Sequence, residues 1–263
     1  MKHIIGLVLL GLLCSHAVLA GNVDDTQAEG PSQSGRIING YQVNIANYKY
    51  ALSLFIDNRY NCGASIITAM HALTAAHCVL GFAPWRVILY GGSSFLNRPV
   101  VRTTVSRIVV HPSYNPSVSK NFDVAVITVP ANSFVGKPNM FPIGLQTAQV
   151  PTGTICFVVG WGLFDNNIQA PSNSLRYTNV QTVSDASCSA TFQQRIMPEQ
   201  ICSINGMNME VCKGDDGSAL VCGGKLTGVV SFGRIPCISN APVVYAKVMV
   251  PSIFNFIRSQ ARI

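Results

Sequence analysis

The sequence predicts an all-β protein, and three observations support this. Charged residues make up only 11% of the 263 residues, and 22 glycines are spread along the chain. Short runs rich in β-branched residues recur, such as Val87–Tyr90 and Val124–Val129. Turn residues separate these runs throughout, which favours antiparallel sheets over an alternation of strands and helices.

One helix is predicted at the carboxyl end. Within Pro251–Arg258, apolar residues stand at positions 253, 254, 256 and 257, which is helical spacing. Proline suits the first helical position, because the N–H that it lacks is not needed there. We expect a short helix over about residues 251–261.

The amino-terminal segment has the composition of a secretory signal peptide. Met1-Lys2-His3 supplies a basic start, an apolar stretch runs from Ile4 to Leu13, and Ala20 is small. The stretch is too short to span a bilayer well, and no later segment has roughly eighteen unbroken apolar residues. We therefore predict that residues 1–20 are removed and that the mature protein is secreted, without a membrane span.

The cysteines fit an extracellular protein. Nine are present, and Cys14 lies in the predicted signal peptide. The remaining eight are an even number, which predicts four disulfides in an oxidising compartment. Zinc binding is the competing use of cysteine, but no C-x-x-C pair occurs among the eight. We expect neither a metal nor a cofactor.

The charge pattern excludes one large class of partner. The formal net charge is +7, with basic residues scattered along the sequence. Scattered charge allows weak binding to anionic glycans, although a contribution to ordinary solubility explains the positive charge better. Basic runs, zinc fingers and RNA-binding motifs are absent from the sequence, so nucleic acid is not an expected partner.

One eleven-residue run is the most informative feature. Residues 212–222 read C-K-G-D-D-G-S-A-L-V-C. The run resembles the nucleophile loop of trypsin-like serine proteases, C-x-G-D-S-G-G-P-L-V-C, with Asp216 where those enzymes have the catalytic serine. Acyl transfer needs an oxygen that attacks a carbonyl and a base that accepts its proton. A carboxylate is a poor replacement, because a mixed anhydride with a peptide acyl group is very high in energy.

Two further motifs resemble the other catalytic residues of that family. Thr74–Cys78 reads T-A-A-H-C, which implies that His77 is the triad's imidazole. The letters N-F-D-V-A-V around Asp123 resemble the family's N-D-I-A-L, which implies that Asp123 orients His77. Asp123 is also the only acidic residue between Asp57 and Asp165.

The resemblance implies an oxyanion hole formed by the backbone N–H groups of Gly214 and Asp216. The Asp216 carboxylate is then expected to accept those N–H groups itself or to pair with protonated His77. Because Asp123 and Asp216 both favour the imidazolium form, we predict that the pKa of His77 is raised.

The amino-terminal region also resembles that of a zymogen. Residues 21–36 are polar and turn-rich, which predicts a disordered activation propeptide. Arg36 precedes Ile37 and Ile38, as at the family's activation site. Cleavage there would free the amino group of Ile37, and the resemblance implies that Asp215 pairs with it, because burying either charge alone is costly.

The specificity pocket departs from the family pattern. Glu210 stands two residues before Cys212, where trypsin-like enzymes carry the aspartate that binds Arg or Lys. Ser231-Phe232-Gly233 resembles the S-W-G strand that pairs with the substrate backbone. Val243 stands where the family's P-G-V-Y has a glycine, so we expect a narrowed or closed pocket. The alternative for Glu210 is a solvated loop acid.

The resemblance covers residues 37–263 and implies a chymotrypsin-like fold. That fold has two six-stranded antiparallel β-barrels, here about 37–140 and 141–250, followed by the helix. Gly160-Trp161-Gly162 matches a motif that packs beside the active site. The implied disulfides are Cys62–Cys78, Cys156–Cys222, Cys188–Cys202 and Cys212–Cys237.

These features predict a secreted, non-catalytic homologue of trypsin-like proteases. Such a protein acts by binding, and the expected partners are proteases, inhibitors or substrates of an extracellular cascade; we expect a monomer. One alternative is an active endopeptidase that uses Ser218 as a displaced nucleophile, or Asp216 with His77 to assist attack by water. Another is a stored or structural secretion with no defined partner.

Overall fold

The computed structural model describes residues 40–165, 168–205, 211–234, 237 and 241–263, with the backbone alone at 164, 165, 168 and 169. Five features predicted from the sequence lie outside these residues: the signal peptide, the propeptide, Arg36, Ile37 and Glu210.

Most of the strands lie in two antiparallel sheets. The first strand, β1 (Tyr41–Gln42), belongs to the second of these sheets. The first sheet consists of β2 (Ala51–Ile56), β3 (Arg59–Ile66), β4 (His71–Thr74), β5 (Val87–Gly91), β6 (Val101–Thr104), β7 (Arg107–Val110) and β8 (Ala125–Thr128). Its hydrogen-bonded order is β6-β5-β2-β3-β4-β8-β7.

The first sheet has seven strands where six were predicted, and the reason is a bend. β6 and β7 are consecutive and are separated only by Val105 and Ser106. β6 pairs with β5, whereas β7 pairs with β8 at the other end of the order. One bent segment therefore supplies both edge strands, and the chain itself joins the two edges of the sheet.

The second sheet is built mainly from the later part of the chain. Its strands after β1 are β9 (Ile155–Gly160), β12 (Arg176–Val183), β13 (Gln200–Ile204), β14 (Ala219–Cys222), β15 (Lys225–Phe232) and β16 (Val243–Lys247), and the hairpin β10 (Leu163–Asp165) and β11 (Ile168–Pro171) stands apart. The order is β1-β12-β13-β16-β15-β14-β9, and β12 also pairs with β9. These six later strands thus close into a barrel, to which β1 adds an edge through Tyr41 opposite Tyr177.

Two α-helices accompany the sheets. Helix α2 (Pro251–Ala261) confirms the predicted C-terminal helix, and it buries Ile253, Phe256 and Ile257. Helix α1 (Asp185–Phe192) was not predicted from the sequence. Its start is capped by Ser184, whose side chain accepts a hydrogen bond from the N–H of Ser187, so a serine before an acidic first turn was the available signal. Three 3₁₀ turns occur at Ile45–Asn47, Ala76–Cys78 and Pro84–Arg86.

The largest apolar core includes residues from both sheets. Leu54, Leu73 and Ile127 come from the first sheet, and Val159 and Val221 come from the second. Burying each Leu or Ile side chain fully stabilises the fold by roughly 2 kcal/mol. The loops that carry the predicted site residues are therefore held between two well-packed sheets. None of the described helices is long and apolar enough to cross a membrane.

Candidate functional site

His77 and Asp123 meet at one end of the first sheet. His77 lies in the 3₁₀ turn that follows β4, and Asp123 lies two residues before the start of β8, the neighbour of β4. His77 Nδ1 is 2.7 Å from Asp123 Oδ2, and the His77 backbone N–H donates to Asp123 Oδ1 at 2.9 Å. Because a carboxylate only accepts hydrogen bonds, Nδ1 carries the hydrogen and Nε2 faces the cleft.

The Asp123 carboxylate is fully buried and has a third donor. The Ser231 hydroxyl at the end of β15 donates to Asp123 Oδ2 at 2.5 Å. The second sheet thereby contributes directly to the orientation of the His77–Asp123 pair of the first sheet. Three donors compensate for removing this carboxylate from water.

The residue before Asp123 has an unusual backbone. Phe122 adopts φ of +57°, in the left-handed region that non-glycine residues seldom occupy. Its N–H donates to the Asn121 side chain at 3.1 Å, and its ring stacks on His111 with 4.8 Å between ring centres. These contacts hold a strained residue next to a functional side chain, where such strain is commonly found.

Asp216 faces His77 and the oxyanion-hole donor together. Its Oδ1 lies 3.9 Å from His77 Nε2, and its Oδ2 accepts the Gly214 N–H at 3.4 Å. The sequence allowed either contact, and the structure has both at long distances. The space between the imidazole and the Gly214 N–H therefore contains the protein's own carboxylate.

The two carboxylates affect the protonation of His77. Burial lowers the pKa of His77, but the hydrogen bond and charge of Asp123, followed by the charge of Asp216, outweigh burial and raise it. Burial also raises the pKa of Asp216, and attraction to His77 partly offsets this effect. The raised pKa of His77 favours its imidazolium form beside Asp123, whereas the raised pKa of Asp216 makes that carboxyl group harder to ionise.

Tyr60 was not identified from the sequence, but it holds the oxyanion-hole loop. Its hydroxyl donates to the carbonyl oxygen of Gly214 at 2.6 Å. Gly214 itself has φ of +94°, a conformation that glycine adopts without strain. Tyr60 thus holds the carbonyl side of Gly214, the residue whose N–H contacts Asp216. No motif around Tyr60 indicated this role.

Asp215 is fully buried beside the G-W-G segment. Its carboxylate accepts the N–H groups of Gly162 at 2.9 Å and Cys212 at 3.0 Å. A Cβ at Gly160 or Gly162 would collide with this carboxylate, which explains both glycines of the motif. Burial raises the pKa of Asp215 to about 7. A nearby ammonium, such as the one that cleavage at Arg36 would create, favours the ionised form.

Ser218 is buried away from the imidazole's cavities. A Cβ at Gly63 would collide with Ser218 Oγ, and one at Gly160 would lie 3.2 Å from it, so the hydroxyl packs between these two glycines. Only 4% of the residue is exposed.

Three of the four predicted pocket residues surround one cavity. This specificity cavity, of about 240 Å³, is lined by Ser231, Gly233 and Val243 and extends to His77 and Asp216. A Cβ built on Gly233 would lie 3.6 Å from Val243 Cγ2, so the Val243 side chain lies beside Gly233 in this lining. The narrowing expected from Val243 stays a prediction.

A second cavity lies on the other side of His77. Its volume is about 390 Å³, and its lining includes Tyr60, Phe82, Leu163 and Pro171. His77, Lys213 and Asp216 also line this second cavity, so the two cavities share the charged groups next to the imidazole.

The cysteines form the four pairs that the resemblance implies: Cys62–Cys78, Cys156–Cys222, Cys188–Cys202 and Cys212–Cys237. Cys62–Cys78 attaches the turn that carries His77 to β3. Among the described residues, Cys62, His77 and Cys78 have the spacing of metal ligands. Both sulfurs are used in the disulfide, so this cluster offers no thiolate.

Comparisons with known proteins agree with this geometry. The sequence model of the Trypsin family matches residues 37–257. Trypsin alpha-4 of Lucilia cuprina is 32% identical over 221 residues, covering 83% of this chain and 85% of the relative. Human kallikrein-15 is 31% identical, covering 84% and 90%. The solved structure of neuropsin, a serine protease expressed in the limbic system of mouse brain, superposes with a TM-score of 0.76 at 25% identity, covering 84% of this chain and 98% of neuropsin. The chain therefore belongs to the trypsin family.

Proposed function

We propose that this protein is a secreted, catalytically silent member of the trypsin family that acts by binding other extracellular proteins. The observation that carries the proposal is the Asp216 carboxylate, which lies 3.9 Å from His77 Nε2 and accepts the Gly214 N–H. In an active family member, the imidazole at the position of His77 contacts a serine hydroxyl. The N–H at the position of Gly214 donates to the substrate's carbonyl oxygen.

Three chemical consequences follow from a carboxylate at this position. An ionised Asp216 has no proton for His77 to accept, so the imidazole cannot activate it as a nucleophile. Its negative charge opposes the oxyanion that develops beside Gly214 in acyl transfer. Attack by the carboxylate would also produce a mixed anhydride. Losing the nucleophilic serine costs on the order of 10⁶ in turnover in another serine protease.

The location of Ser218 argues against a displaced nucleophile. A nucleophile needs hydrogen-bond contact with its base, whereas the Ser218 hydroxyl packs between Gly63 and Gly160. Neither of the two cavities that contain His77 is lined by Ser218.

The cleft and loops remain available for a binding function. The specificity cavity and the second cavity both open next to His77. Four disulfides suit an oxidising, extracellular compartment, in agreement with the signal peptide predicted at residues 1–20. Suitable partners are proteases, inhibitors or substrates of an extracellular cascade.

The test is covalent labelling of purified protein that has been cleaved after Arg36. A fluorophosphonate probe reacts only with an activated serine, so we expect no labelling of the wild-type protein or of Ser218→Ala. The matched gain-of-function variant is Asp216→Ser. We expect it to be labelled at position 216, because the His77–Asp123–Ser231 hydrogen bonds are already in place.

Either of two results would overturn the proposal. Wild-type labelling that maps to Ser218, and that disappears in Ser218→Ala, would make the protein an enzyme with a displaced nucleophile. Cleavage of a mixed peptide library by the wild-type protein, measured by mass spectrometry with His77→Ala as the control, would have the same meaning.

A further inference from the structure

The cleft has basic side chains along the specificity cavity. Lys120, Lys213 and Arg234 all line this cavity, and all three residues are exposed. Lys213 also lines the second cavity, together with His77 and Asp216. The two cavities therefore share a border at which Lys213 stands.

These three cations have no carboxylate partner in the described part of the chain. The ion pairs found there are His77–Asp123, His77–Asp216 and Arg86–Asp57. The Lys120 ammonium instead lies 5.2 Å from the centre of the Phe232 ring, and the Arg234 guanidinium donates to a backbone carbonyl at 3.2 Å.

The carboxylates of the cleft are occupied by internal partners. Asp123 is buried against His77 and Ser231. Asp216 accepts the Gly214 N–H and lies near His77, whose raised pKa favours a compensating positive charge. Among the described residues, the charge left free at the mouth of the cleft is therefore positive, and it attracts an anionic group.

Apolar side chains also line both cavities. Val211, Val230 and Val243 line the specificity cavity, and Phe82, Leu163 and Pro171 line the second cavity. A sulfated glycan, which is polar on every side, gains little from such surfaces. A peptide offers apolar side chains next to charged ones, and apolar side chains gain free energy when they leave water.

We propose that this cleft binds an extended segment of a protein partner with an acidic side chain at the specificity cavity and apolar side chains at the second cavity. The inference rests on the proposed function, in which the cleft binds without cutting. It reverses the charge preference that the resemblance implies for the pocket, because Lys120, Lys213 and Arg234 line the specificity cavity.

The test uses three fluorescent peptides of equal length with identical apolar residues. They differ only at a central pair, which is acidic, basic or neutral, and binding to the mature protein is measured by fluorescence anisotropy. We expect the acidic peptide to bind most tightly. Its affinity should fall as salt rises from about 0.05 M to about 0.5 M, because exposed charges are screened over a few ångströms at high salt.

Charge-reversal variants connect this binding to the cleft. Lys213→Glu and Lys120→Glu should each lower the affinity for the acidic peptide by about five- to tenfold. Each variant replaces an attraction to the peptide's carboxylates with a repulsion. Lys225→Glu is the matched control, because Lys225 begins β15 about 23 Å from Phe232, at the opposite end of the strand. It should leave the affinity unchanged.

Several outcomes would overturn the inference. One is preferential binding of the basic peptide, as a pocket based on Glu210 would give. Another is an equal loss of affinity for the acidic peptide in Lys225→Glu and Lys213→Glu. A third is binding of a sulfated oligosaccharide by a protein that binds none of the peptides. Failure of all three peptides to bind would also overturn it, while leaving the absence of catalysis untouched. Cleavage of the bound acidic peptide would instead refute the proposed function and retain the charge preference.

Discussion

The Asp216 side chain contacts both groups that a serine hydroxyl and a substrate carbonyl use in an active family member. Its two oxygens lie 3.9 Å from His77 Nε2 and 3.4 Å from the Gly214 nitrogen. Both distances are longer than a good charged hydrogen bond, so the attraction is mainly Coulombic. At the scale of the residue, the main consequence is a change in the protonation of His77.

We predict that His77 in the wild-type protein titrates above its ordinary pKa of 6.5, and that Asp216→Asn lowers this pKa. The reason is that Asp216 adds a negative charge to that of Asp123, and the amide removes it. The measurement is an NMR titration of the histidine ring protons. Asp57→Asn is the control, because Asp57 pairs with Arg86 at the surface. A wild-type His77 that is neutral at pH 6 contradicts the prediction.

The same shift predicts how stability depends on pH. The pKa of His77 is higher in the folded than in the unfolded protein, so the folded state binds this proton more tightly. The resulting stabilisation is fully present below about pH 6.5 and is lost as the pH rises through the folded pKa. The difference in unfolding free energy between low and high pH should therefore be smaller in Asp216→Asn, and urea unfolding measures it.

At the scale of the element, the position of the His77 side chain depends on a single short turn. The 3₁₀ turn Ala76–Cys78 follows β4 directly, and the Cys62–Cys78 disulfide attaches it to β3. A three-residue turn has little packing of its own. Its position therefore depends on the strands at both ends and on the disulfide.

Replacing both Cys62 and Cys78 with alanine should lower the free energy of unfolding by about 3 kcal/mol, and it should lower the pKa of His77 because the ring is held less firmly against Asp123. The matched control replaces both Cys188 and Cys202, whose separation of 14 residues resembles the 16 of the first pair. We expect a similar loss of stability with no change in the His77 titration. Equal effects of both pairs on the titration would show that the disulfide does not position His77.

The elements themselves were predictable to different degrees. The β-rich runs and the C-terminal helix were visible because their apolar spacing is local. The bend between β6 and β7 was not visible, since it is defined by pairing with β5 on one side and β8 on the other. Helix α1 was missed because its eight residues bury only Cys188, which leaves almost no apolar period to detect.

At the scale of the whole molecule, the nucleophile loop of the second sheet packs against β3 of the first. The Gly63 N–H donates to the carbonyl oxygen of Asp216 at 2.8 Å. A Cβ at Gly217 would collide with the Gly63 carbonyl, and a Cβ at Gly63 would collide with Ser218 Oγ. The sheets therefore meet backbone to backbone beside the site, with glycine on both sides.

We predict that Gly63→Ala destabilises the protein by about 1–3 kcal/mol, because the added methyl group has no space. Ser218→Gly in the same chain should restore part of that loss, since it removes the hydroxyl that the methyl group meets. Urea unfolding of the two single variants and the double variant gives the coupling energy, which we expect to exceed about 0.5 kcal/mol.

Gly144→Ala is the control for this cycle. A Cβ at Gly144 would meet nothing within 4 Å, and the φ of this glycine is not in the left-handed region. Its substitution should change stability by less than about 0.5 kcal/mol, in every background. Purely additive losses for Gly63→Ala and Ser218→Gly would contradict the packing described here.

The sequence by itself determined the family resemblance, the cysteine set, and the identities of His77, Asp123 and Asp216, because each lies in a contiguous motif whose letters are read directly. Only the tertiary structure decided that Asp216 faces both His77 and Gly214, that Ser218 packs away from the cleft, and that Lys120, Lys213 and Arg234 surround one cavity. The physical reason is distance along the chain. Tyr60 contacts Gly214 across 154 residues and Ser231 contacts Asp123 across 108, and such contacts depend on how two sheets pack rather than on any local pattern.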